Sequence, residues 1–264
     1  RSTLFPYTTL FRSSYQLDLF AEFPTDRANL SENSSFESLK TVVHDYKLVE
    51  NEEDLQKLHD YFLTNEILSL DTETTSTSPI DAELVGLSFA VKEFEAFYVP
   101  IPANREEALR IVNIFKDVYE NEQILKIGQN LKYDLEVLRN YDIHLAGPMW
   151  DTMIAHYLIQ PELHHNMDYM AEIYLNYQTI HIDELIGPKG KNQKSMRDLL
   201  PSQVCEYAAE DADVTLRLKN KLEPELKKFE CEKLFYEIEM PLMPVLAEME
   251  MNGVWLDTES LKET

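Results

Sequence analysis

Residues 67–75 read ILSLDTETT, an apolar run broken by two carboxylates two positions apart. In an extended chain alternate residues share a face, so Asp71 and Glu73 point the same way. Set among Ile67, Leu68 and Leu70, they are costly to hold as anions unless something positive neutralises them together. Two further segments supply acids in apolar surroundings. In IGQNLKYDLEVL, residues 127–138, Asp134 follows an apolar strand candidate (124–127) and a Gly-Gln-Asn turn. That places it in the first turn of a helix running toward Tyr141, where the helix dipole tolerates negative charge. In YAAEDADVTLRL, residues 207–218, the apolar positions recur at offsets of three and four, so Tyr207 and Asp211 share one helical face. Carboxylates carried on separate elements call for a divalent cation, and oxygen ligands of this kind suit Mg2+ or Mn2+.

The strings DTETT, GQNLKYD and YAAEDADVTL, in this order and spacing, resemble the three motifs of the proofreading 3′–5′ exonuclease domain of family A DNA polymerases, the bacterial polymerase I type. The likeness runs from about Tyr46 to the C-terminus and takes in WDTMIAHYLIQ (150–160), GKNQ (190–193) and EMPLMPVLAEMEMNGVWLD (239–257). The tyrosine four residues before Asp211 marks the tyrosine-bearing branch of ribonuclease H-like exonucleases. The resemblance implies an α/β fold, a ribonuclease H-like mixed sheet flanked by helices, followed by a short helical start of a polymerase domain. It also implies two divalent metal ions about 3.5–4 Å apart, flanking an in-line phosphoryl displacement. Asp71 would bridge both ions, Glu73 and Asp211 would complete the site that activates water, and Asp134 would serve the other ion through water. Tyr207 would position the attacking water, and a nucleoside 5′-monophosphate would leave from a DNA 3′ end. Gln129, Asn130 and Lys191 are expected near the substrate; by position Gln129 and Asn130 could also cap the helix that follows them.

Other features are read structurally. His156, His164, His165 and His181 lack the spacing of a zinc site. GPKGK, residues 187–191, lacks the gap and the Ser or Thr of a triphosphate-binding loop. Lys189, Lys191, Lys194 and Arg197 form the one local basic cluster, available to a phosphate backbone or simply solvated. Two alternatives to DNA proofreading stay open: a non-catalytic spacer of the polymerase, for which four acids would be unnecessary, and RNA 3′-end trimming of the ribonuclease D kind.

The chain has 264 residues, 44% of them hydrophobic, which is ample for a core, and a formal net charge of −24. Such a balance argues against tight binding of nucleic acid by this module alone and calls for a neighbouring module; the resemblance implies that this is the polymerase domain of a longer chain, delivering a single-stranded or frayed DNA 3′ end. Cys205 and Cys231 sit at no motif spacing, which reads as a reducing cytoplasm without disulfides; the resemblance implies that this cytoplasm is bacterial, with the protein near the nucleoid. No stretch reaches the length of a membrane span, and a monomer is expected. Residues 3–13, TLFPYTTLFRS, resemble a translated sequencing adapter, so residues 1–13 are set apart as an artefact. Residues 14–45 read as a flexible linker, residues 46–226 as the exonuclease domain and residues 227–264 as the truncated start of a polymerase domain, a fragment from which no DNA synthesis is expected. Within the domain the pattern gives strands at 47–49, 67–73, 84–91 and 96–99, helices at 52–62 and 105–120, and a helix through Leu218 that ends in a Lys- and Glu-rich boundary at 219–232, before an amphipathic segment at 235–256.

Overall fold

The computed structural model describes residues 36–263, apart from 189, 191 and 192. Eight strands lie in this region: β1 (Glu37–Ser38), β2 (Asp45–Leu48), β3 (Ile67–Thr74), β4 (Leu84–Lys92), β5 (Glu95–Pro100), β6 (Leu125–Gly128), β7 (Met149–Asp151) and β8 (Tyr177–Gln178). The helices are α1 (Glu52–Leu63), α2 (Arg105–Ile114), α3 (Lys116–Tyr119), α4 (Leu131–Arg139), α5 (Thr152–Ile159), α6 (Met167–Met170), α7 (Ile182–Ile186), α8 (Pro201–Lys228), α9 (Glu232–Leu234), α10 (Met240–Asn252) and α11 (Thr258–Glu263). Six strands form one sheet in the order β2-β5-β4-β3-β6-β7. β3, β4 and β5 are an antiparallel meander, while β6 runs parallel to β3, β7 to β6 and β2 to β5. The mixed sheet flanked by helices is the one expected.

Strand alternation sorts β3 into two faces. Leu68 and Leu70 point into a core shared with Leu55, Leu58 and Phe62 of α1, with Val112 and Phe115, and with Leu131 and Leu138 of α4. On the other face Ser69 Oγ donates to the carbonyl of Ala212 at 2.8 Å, which holds α8 across the sheet on the side of Asp71 and Glu73. α8 rests on β4, β5, β2 and β3. Gly86 of β4 stands opposite Glu73, and the Tyr98 ring lies where a Cβ on Gly86 would have to go, 2.2–2.5 Å away.

The structure corrects three expectations. The helix expected over 105–120 breaks at Phe115, which is fully buried against Phe62 and Phe89, so the chain turns there to deliver it to the core. The linker expected over 14–45 overlaps ordered structure: β1 pairs in parallel with β8, and Asp45 opens β2; residues 1–35 lie outside the described residues. The helix expected to end at Leu218 runs on for ten residues. α8 continues through the Lys- and Glu-rich stretch to Lys228, because Leu222 and Leu226 keep the apolar face going while the charges occupy its solvent side. The segment from Phe235 packs back on this unit: Phe235 lies on Trp150 with ring centroids 5.1 Å apart, and Met240, Met243 and Ala247 are buried. α10 also pairs with α4 through Lys132–Glu250 and Arg139–Glu248. Packing therefore crosses the boundary expected at 226/227, while Leu242, Val245, Leu246 and Met249 stay exposed.

Candidate active site

Three of the five expected catalytic side chains converge where β3 meets α8. Carboxylate oxygens of Asp71, Glu73 and Asp211 lie within 4.8 Å of one another. Glu73 and Asp211 are 7% and 6% exposed, and Glu73 Oε1 is buried without a hydrogen-bond partner. Burial pushes the Asp71 carboxyl up to about 6, partly offset by a backbone hydrogen bond from Thr72. Burial and then the Asp71 charge hold Glu73 well above the usual carboxylate range. Asp211 is raised by burial, then by Asp71 and Glu73. Groups so crowded hold protons in place of the positive charge they lack.

Asp134 stands beside this trio. Its helix, α4, packs on the opposite face of β3, and its Oδ1 accepts a 2.6 Å hydrogen bond from Thr72 Oγ1, the strand residue between the two acids. It is 2% exposed, and burial followed by Asp71 raises its pKa. Tyr207, one turn before Asp211 on α8, hydrogen bonds with that carboxylate and faces Glu73 and Asp71; burial, then these charges, keep its hydroxyl protonated. Thr72 carried no sequence signal other than its place between two acids.

The back of α8 is fastened by a second group of buried charges. Asp213 accepts from the Phe94 backbone N–H at 2.6 Å and from the Tyr46 hydroxyl at 2.8 Å, and Glu210 accepts from the Tyr177 hydroxyl and the Ile180 N–H, both at 2.6 Å. The Arg217 guanidinium lies between the Phe94 and Tyr177 rings, 4.5 and 4.6 Å from their centroids. These bonds set the rotation of α8, and with it the aim of Tyr207 and Asp211.

Gln129 and Asn130 sit at the start of α4, but neither caps it as expected. Asn130 adopts a left-handed conformation, φ 63° and ψ 44°, with its exposed side chain making no cap bond. Gln129 donates to the His165 carbonyl at 2.7 Å and accepts from Thr152 Oγ1. The cap comes from Asp151, a residue that sequence reasoning did not single out: its Oδ2 accepts from the Leu131 N–H at 2.7 Å. Lys189 and Lys191 lie outside the described residues. Arg197 leaves the basic cluster, because its guanidinium donates to the carbonyls of Ile101 and Leu84 and so ties the ends of β5 and β4 together. His156 and His165 face each other with Nδ1 atoms 2.8 Å apart, and His181 pairs with Asp168 at 3.2 Å.

A mixed sheet of this order, crossed by one long helix and carrying clustered acids from β3 and α8, is the ribonuclease H-like fold. Residues 46–227 match the sequence profile of a 3′–5′ exonuclease family, and the chain belongs to that family. Its relatives include DNA polymerases I: that of Borreliella burgdorferi is 34% identical over 94% of this chain and 26% of its own length. The Pseudomonas aeruginosa enzyme is 40% identical over 74% of this chain and 22% of its own. The chain thus spans about a quarter of the length of these curated relatives. Among solved structures the fold is similar to Pol1 from M. smegmatis in complex with DNA primer-template and dNTP, with a TM-score of 0.65, 18% identity, and coverage of 82% of this chain and 34% of the other. It is also similar to Escherichia coli RNase D, an exoribonuclease, with a TM-score of 0.62, 21% identity, and coverage of 78% and 51%. No helix among the described residues is long and apolar enough to cross a membrane.

Proposed function

We propose that this chain is a divalent-metal-dependent exonuclease that removes nucleoside 5′-monophosphates from DNA 3′ ends, the proofreading module of a DNA polymerase I. The observation that carries the reading is the buried trio Asp71, Glu73 and Asp211, with an unpartnered Glu73 oxygen aimed among oxygens of like charge. The donor set is all carboxylate, which fits Mg2+ or Mn2+ and not a soft metal. Asp71, Glu73 and Asp211 would hold one ion, and Asp134, tethered by Thr72, would serve a second. Such ions supply charge stabilisation at the attacking and leaving oxygens of a phosphodiester.

The rest is the work of the chain. Tyr207 keeps its proton at neutral pH, so its hydroxyl can donate to or orient the attacking water beside Asp211. Burial of the acids excludes bulk solvent and strengthens each of these interactions. Gln129, Asn130 and Lys191 are assigned contacts to the terminal nucleotide, Asn130 with its side chain exposed at the start of α4. Residues 46–226 would form the catalytic domain, and residues 227–264 would lead into a polymerase domain that delivers single-stranded or frayed 3′ ends in the bacterial cytoplasm.

The test is release of nucleotide from a 3′-labelled single-stranded DNA oligomer with Mg2+, Mn2+ or chelator, comparing the chain with Asp211→Ala. Metal-dependent shortening that the substitution removes is expected. A folded chain that leaves the oligomer intact would point instead to a structural spacer, and faster shortening of RNA than of DNA would reassign the substrate.

A further inference from the structure

α4 carries Asp134 but has no cap of its own. Its N-cap residue, Asn130, lies in the left-handed region and makes no side-chain bond to the first turn, so the leading N–H groups of α4 need an acceptor from elsewhere. That acceptor is one carboxylate. Asp151 ends β7, in parallel register with Gly128 at the end of β6, so the helices that follow these neighbouring strands start side by side. Asp151 Oδ1 accepts from Ile154 N–H at 3.0 Å, a cap for α5, while Oδ2 reaches across to Leu131 N–H of α4 at 2.7 Å. The backbone N–H groups of Asn130 and Met153 also bond to it. It is 1% exposed and has no cationic partner among these bonds, which makes its anion wholly dependent on the two helix starts.

We propose that Asp151 is a positioning residue for the reaction: by capping α4 across the strand gap it fixes the turn that holds Gln129 and Asn130 at the cleft, and the depth at which Asp134 enters the site. The proposal rests on the reading of the acidic cluster as a metal site. Two tethers then locate Asp134, Thr72 from the strand side and Asp151 from the helix start. An ordinary helix cap supplies stability alone; this one sits one helical turn from a metal ligand. Removing partners of this kind from around metal sites lowers metal affinity by roughly 10- to 100-fold.

Asp151→Ser separates the two roles. A serine at an N-cap accepts from its own helix, so α5 keeps its start, but its hydroxyl is too short to reach Leu131. Mn2+ binding to the full chain, followed by titration calorimetry without nucleic acid, is expected to weaken about tenfold in Asp151→Ser and in Asp151→Asn. Adding Asp151→Ser to Asp134→Asn should weaken it no further. In hydrolysis assays the metal concentration for half-maximal rate should rise in step, with much of the rate recovered at saturating metal. Unchanged Mn2+ affinity in a folded variant with a lowered melting temperature would overturn the proposal, as would an additive effect in the double variant or the failure of both single variants to fold, since each makes Asp151 a cap only. Absence of Mn2+ binding by the unsubstituted chain would instead overturn the metal-site reading beneath it.

Discussion

Replacing Asp71, one acid of the buried cluster, should make the metal-free protein more stable. Asp71 is held at about 6 by burial, against about 3.9 for a free aspartate. In this window the folded chain binds more protons than the unfolded one, so stability is greatest below about pH 4 and falls as pH rises through about 6. At about 1.4 kcal/mol per pH unit, the loss at pH 7 is about 3 kcal/mol from this residue. Asp71→Asn removes that loss and also relieves Glu73, Asp134 and Asp211, for each of which the Asp71 charge is a cause of the raised pKa. For a domain of this size about 3 kcal/mol corresponds to roughly 6–12 °C in melting temperature. The assay is thermal unfolding in chelator at pH 7.5 and at pH 4. Asp71→Asn should melt higher than the parent at pH 7.5, and the gap should close at pH 4. Added Mg2+ should stabilise the parent far more than Asp71→Asn, so that the gap also closes at pH 7.5 once metal is present. If Asp71→Asn melts at or below the parent in chelator at pH 7.5, the crowded-anion account of this site is wrong.

Tyr207→Phe should keep the fold and the metal affinity but lower the hydrolysis rate by about 10²-fold or more, the scale of a positioned proton donor; a rate within about twofold of the parent would remove the hydroxyl from the mechanism. Gly86→Ala places a methyl group 2.2–2.5 Å from the Tyr98 ring, directly opposite Glu73, and should cost about 1–3 kcal/mol or more in chemical denaturation and lower the rate as well; wild-type stability would show that the ring moves freely. Burial lowers the pKa of His156 to about 4, against about 6.5 in an unfolded chain, so its contribution is present above about pH 6.5 and lost as pH falls toward 4. His156→Asn should flatten that acid limb in melting curves, and parallel slopes would rule out this contribution.

The sequence made the acids legible because each kind of periodicity was local. The two-residue repeat put Asp71 beside Glu73, and the four-residue step put Tyr207 beside Asp211; both pairs stand as read. What escaped was set by partners distant in sequence. Phe115 breaks its helix because of Phe62 and Phe89, some 53 and 26 positions earlier. Asp151 caps a helix that starts 20 residues before it, visible only once β6 and β7 lie in register. Arg197 resembled a surface cation until its carbonyl partners, 96 and 113 residues away, came into place. Charge patterning misled at 219–228, where Lys and Glu read as the end of the helix although Leu222 and Leu226 continue it beneath them.

The length of α8 gives the molecule a mechanical property. Tyr207 stands 21 residues before Lys228, about 32 Å along a single helix at about 1.5 Å per residue. Were this arm free, a pivot of about 2° at the Lys228 end would sweep the Tyr207 hydroxyl through about 1 Å, an error on the scale that costs about 10²-fold in a reaction set by positioning. The bonds at Glu210, Ala212 and Asp213, all within six residues of Tyr207, are the bearing that shortens the arm, so that a load arriving at Phe229–Cys231 is taken up by the sheet before it reaches that hydroxyl.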